Sequence, residues 1–62
     1  MERAYYEPVE LQIDENIGTT AYPVYILLRN AQPTEQNYRL FQIFEKEYVA
    51  KAVVNGLNNG IL

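Results

Sequence analysis

No cysteine and no histidine occur in this chain of 62 residues, and that absence constrains any fold it adopts. Disulfides and structural zinc, the usual staples of very small domains, both need side chains that are missing. A chain this short buries only about 60% of its unfolded surface, and its core rarely supplies more than about 3–5 kcal/mol. Stability must then come from close packing or from association. The expectation is a single domain, residues 1–62, that meets a larger protein partner or another copy of itself.

The same absences remove most catalytic chemistry. Ser–His–Asp and Cys–His arrangements cannot form, since the chain also lacks serine. Glu45 and Glu47 stand two apart, so on a helix they point away from each other and make a poor acid–base pair. The acidic turn Asp14-Glu15-Asn16-Ile17-Gly18 lacks the bidentate acid of a calcium loop, because its twelfth position is Tyr25. The three glycines are isolated and cradle no phosphate. The chain is expected not to be an enzyme, and to use no cofactor and no metal.

The formal charge is −3. Arg3, Arg29, Arg39, Lys46 and Lys51 are scattered among acids, whereas nucleic-acid binding draws on a clustered basic patch. No nucleic-acid partner is expected. The longest apolar run, Val24 to Leu28, is far short of the roughly 20 residues a spanning helix needs. The first residues, Met-Glu-Arg-Ala-Tyr-Tyr-Glu, offer no apolar stretch for a signal peptide. The expected address is cytoplasmic, with no membrane contact.

Periodicity assigns the elements. Val9, Leu11 and Ile13 alternate with Glu10, Gln12 and Asp14, the signature of a strand over residues 8–14 with one face buried. Asn16-Ile17-Gly18 reads as a turn with Gly18 at positive φ. A second strand is expected over residues 22–29, opened by Pro23. Val24, Ile26 and Leu28 lie on one side, Tyr25, Leu27 and Arg29 on the other. Both sides are largely apolar.

The segment from Thr34 to Asn55 admits one long helix or a split. As one helix, Leu40, Phe41, Phe44 and Tyr48 would oppose Val49, Ala50, Val53 and Val54, leaving no single buried stripe. A strand over 38–44 followed by a helix near 45–56 resolves the conflict. Glu45 and Glu47 would then occupy the helix's first turn, with Glu47 paired to Lys51. Asn55-Gly56 would end the helix with Gly56 in the left-handed cap position. Ile61 and Leu62 should dock on an apolar surface.

The predicted fold is α+β: a three-stranded antiparallel meander with one C-terminal helix on one face, βββα. The expected core is Val9, Leu11, Ile13, Val24, Ile26, Leu28, Val49, Val53 and Leu57. One helix covers one face of such a sheet, so the other is left as a contact surface. Six tyrosines in 62 residues suit an interface, because tyrosine offers large rigid area with a hydroxyl that tolerates water. The expected protein-binding residues are Tyr22, Tyr25, Leu27 and Arg29. They imply a small acidic non-enzymatic binding module that occupies a site on a larger partner, as an inhibitor or accessory subunit. Phage-encoded inhibitors of host enzymes offer an analogy of size and charge only. The alternative is a homo-oligomer that self-associates through the uncovered face.

Overall fold

A computed structural model describes residues 3–60; the expected docking of Ile61 and Leu62 lies outside the described residues. The fold is α+β, a four-stranded antiparallel sheet followed by one helix. The strands are β1 (Ala4–Tyr6), β2 (Val9–Asp14), β3 (Ile17–Leu27) and β4 (Tyr38–Phe44), and the helix is α1 (Glu47–Asn58). A short 3-10 turn, Glu35–Asn37, leads into β4.

The long strand β3 organises the sheet. β4 pairs with its second half along one flank, from Tyr22 opposite Phe44 to Leu27 opposite Tyr38. β1 and most of β2 share the other flank in one register: Ala4 faces Ile26, Tyr6 faces Val24, Val9 faces Ala21 and Gln12 faces Gly18, after which the register shifts and Asp14 faces Ile17. The meander of the sequence reading is therefore present, with β1 as an additional fourth strand.

The break between β1 and β2 has a backbone cause. The Leu27 N–H donates to the Arg3 carbonyl at 2.7 Å and the Glu7 N–H to the Pro23 carbonyl at 3.3 Å. Odd-numbered residues on this flank thus face β3, and even-numbered ones face outward. Pro23 has no N–H to return to Glu7, so that rung is half made and the ladder lapses there. Pro8 faces outward and costs no rung.

Pro23 was expected to open its strand; it lies buried in the middle of it. The strand runs from Ile17 to Leu27, where 22–29 was expected, because the turn is tighter than expected. Glu15 and Asn16 make the whole connection, and Gly18 is a strand residue opposite Gln12. Gly60, at φ 73°, is the described glycine with positive φ. Beyond β3, Asn30 takes φ 60°, a left-handed conformation that asparagine tolerates better than most residues.

β4 occupies residues 38–44 as the split reading required. A register shift between the Val24 and Tyr25 pairs leaves Phe41 as an extra residue, so Leu40 and Ile43 reach the same face.

The helix packs against β1, β3 and β4. Ala4, Val24, Ala50 and Leu57 are buried, with Tyr6, Tyr22, Ile26, Phe44, Val53 and Val54 packed around them. Gly56 does not end the helix; it is buried within it, and the helix runs on to Asn58. That added turn seats Leu57 in the core and brings the Asn58 amide to β1. Asn58 Oδ1 accepts from the Ala4 N–H at 2.7 Å, and its Nδ2 donates to the Ala4 carbonyl at 3.0 Å. At the other end of the helix, the Tyr6 hydroxyl donates to Glu47 Oε2 at 3.1 Å. Glu47 makes this contact in place of the expected pair with Lys51. Both ends of the helix thus hold β1, which explains how so short a strand stays in place.

The expected core is corrected in one systematic way. Val24 and Leu57 are buried and Ile26, Val49 and Val53 half-buried, but Val9, Leu11, Ile13 and Leu28 are exposed. Antiparallel partners share a face, so Val9, opposite Ala21, lies with Pro23 and Tyr25 and away from Val24. The turn pairs Asp14 with Ile17, and a register shift between Gln12 and Asp14 then leaves Ile13 as an extra residue; that bulge, by moving the register one place, sets the parity of Val9 and Leu11. β2 and the first half of β3 form a two-stranded arm beyond the helix-covered body. Every residue of β2 is exposed.

Candidate binding face

The face of the sheet opposite the helix is apolar along its length. At one end are three tyrosines. The Tyr5 and Tyr25 rings stack with centroids 5.3 Å apart, and Tyr38 meets Tyr5 edge-on at 4.8 Å. Such offset and T-shaped contacts add to the burial of each ring. They follow from register: Tyr5 is opposite Tyr25 across β1 and β3, and Tyr38 comes from the start of β4 on the other flank.

The middle of the face is a shallow depression of about 210 Å³ formed by Val9, Leu11, Pro23, Tyr25, Leu40 and Ile43. Leu40 is 53% exposed and Ile43 55%, so large apolar side chains stand in water. Toward the arm, the surface continues through Leu11 and Ile17.

Desolvation in the ring cluster raises the Tyr5 phenol pKa, and Glu7, Tyr25, Glu35 and Tyr38 add to the rise. On the helix side, desolvation and then the hydrogen bond to Glu47 raise that of Tyr6. Both phenols stay neutral donors at physiological pH.

The expected contact residues divide between two faces. Tyr25 lies on the open face, and Leu27, two residues along the same strand, shares it; both are half-buried. Tyr22 packs on the helix side against the core and meets Tyr6 edge-on at 6.3 Å. Arg29 is exposed beyond the end of β3 and borders a recess with Arg3, Leu28 and Asn30. Sequence reasoning missed Tyr5, Tyr38, Leu40, Ile43, Val9 and Leu11 as members of the face. For Val9 and Leu11 the signal was present, since their alternation was clear, but it was attached to the wrong side of the sheet.

Among the described residues, no three carboxylates gather as a metal site, and no helix is long and apolar enough to cross a membrane. The chain matches no protein-family model, no curated protein and no solved structure.

Proposed function

We propose that this chain is a non-enzymatic protein-binding module that docks its open sheet face on a larger cytoplasmic protein, acting as an inhibitor or accessory subunit. One observation carries the reading: the face opposite the helix presents Tyr25, Leu40, Ile43, Val9 and Leu11 as one apolar surface. The molecule measures 43 × 24 × 15 Å, so its broad face approaches the roughly 800 Å² per partner of a standard interface. A contiguous exposed apolar patch within such a face is characteristic of an interaction site.

The tyrosine cluster supplies the anchors, because large aromatic side chains dominate binding energy at interface centres. Tyr25→Ala is expected to weaken association about thirtyfold, equivalent to about 2 kcal/mol, while the helix-side core stays folded. Isothermal titration against the isolated partner, with circular dichroism of the variant, tests this. Undiminished association by a folded Tyr25→Ala protein would refute docking through this face. A sedimentation experiment on the chain alone separates this reading from self-association: a tight dimer that Tyr25→Ala dissociates would make the second copy the occupant.

A further inference from the structure

The edges of the sheet differ in how they are closed. The free edge of β1 is covered by the Asn58 amide on Ala4. The outer edge of β2 follows Pro8 and carries Glu10 and Gln12, whose Nε2 donates to the Asp14 and Glu15 carbonyls. The outer edge of β4 is interrupted at Phe41 and by the Arg39 guanidinium, which donates to the Tyr38 carbonyl at 3.1 Å. Prolines, charges and bulges of this kind prevent strand addition.

One flank, along Gly18 and Thr20, carries no such guard of its own, and the Glu45 and Lys46 charges at its mouth offset each other. The Leu28 N–H donates to the Asn37 carbonyl at 2.8 Å, so even-numbered residues of β3 face the lane of β4. β4 ends at Phe44 opposite Tyr22. Gly18 and Thr20 therefore turn two N–H and two C=O groups into a lane that no described strand fills. Beside them lies an open recess of about 470 Å³, bordered by Thr20, Ala21, Ile43, Phe44, Glu45 and Lys46. No proline and no charge stands between Ile17 and Tyr22.

Charge specifies the occupant. Residues 4–28 contain Glu7, Glu10, Asp14 and Glu15 and no lysine or arginine, so the arm is strongly acidic. Glu10 sits opposite Thr20, and its carboxylate has no partner among the described residues. A strand added beside β3 would lie two strand spacings from β2, about 10 Å. A lysine or arginine on it could extend across the small Gly18 and Thr20 toward Glu10. Its alternate residues would lie on the open face, beside Thr19, Ala21 and Ile43.

We propose that the flank of β3 at Gly18 and Thr20 binds an extended basic segment of a protein partner, with cationic and apolar residues alternating, as an added strand in line with β4. This rests on the reading of the chain as a protein-binding module, and it names the partner's local chemistry and the second surface it uses.

The test is a nuclear magnetic resonance titration of the whole chain with two capped hexapeptides, Lys-Val-Lys-Val-Lys-Val and Glu-Val-Glu-Val-Glu-Val. The basic peptide is expected to shift the Gly18 and Thr20 amides, and the acidic one to leave them unmoved. Thr20→Pro removes one outward donor, and Glu10→Gln removes the charge without touching the ladder. Each is expected to weaken the basic peptide about three- to tenfold, with Glu10→Gln deciding the matter if Thr20→Pro does not fold. Unmoved Gly18 and Thr20 amides at about 1 mM basic peptide, equal binding of the acidic peptide, or full binding by Glu10→Gln would overturn the proposal. Tyr25→Ala separates the two readings: it should leave peptide binding intact while weakening the larger partner. Loss of peptide binding in a folded Tyr25→Ala protein would place the peptide on the open face and overturn strand addition.

Discussion

Leu57→Ala is expected to leave the isolated chain largely unfolded at room temperature. The core is thin: Leu57 is 4% exposed, and Val24 is the largest side chain that is fully enclosed. Truncating a buried leucine costs about 2–5 kcal/mol, through lost transfer energy and the cavity left behind. The whole core of a chain this size supplies about 3–5 kcal/mol. Leu57 also belongs to the last turn of the helix, so losing it loosens the turn that carries Asn58. Urea titration followed by circular dichroism would read the change directly. A midpoint equal to that of the parent chain would mean that the last helical turn does not contribute to the core.

Asn58→Ala should come close to that effect through hydrogen bonding alone. Ala4 is fully buried, and the Asn58 side chain satisfies both its N–H, at 2.7 Å, and its carbonyl, at 3.0 Å. Leaving a buried polar group unpaired costs about 1–3 kcal/mol, so losing both contacts is expected to cost about 3 kcal/mol. Asn58→Asp gives a graded comparison, since its carboxylate still accepts from the Ala4 N–H but cannot donate to the carbonyl. The expected order of stability is parent, Asn58→Asp, Asn58→Ala. Loss of β1 would also separate Tyr5 from Tyr25, which near-ultraviolet circular dichroism of the tyrosines would register. Equal stability of all three proteins would show that water replaces the amide without cost.

Much of the architecture was legible because it rests on local periodicity. The strand Tyr38–Phe44 and the helix after it were separable on paper, because Phe44 and Val49 demand opposite sides of any common helix. The open face was legible only in part. Placing Val9 and Leu11 correctly required knowing of the bulge at Ile13, since a shift of one residue moves the whole set across the sheet. Pro23 pointed the wrong way because proline is disfavoured in central strands; here the cost is confined to the half-made rung at Glu7. β1 was invisible because its support is distant: Asn58 is 54 positions from Ala4, and no local pattern announces such a pair. Tyr22 was misplaced for a simpler reason, because its even number puts it with Val24 on the helix side.

The half-made rung between Glu7 and Pro23 has a mechanical consequence. On one side of it the sheet is clamped by a helix and a third lane of strand; on the other it is a ribbon of two strands, and such ribbons twist more freely than wide sheets. Residues 17–21 rise about 3.4 Å each, giving a lever some 17 Å long on a hinge with one fewer bond than its neighbours. Compliance is therefore divided into a stiff half and a pliant half. Whatever grips the arm can bend it to fit without deforming the part that holds the molecule together.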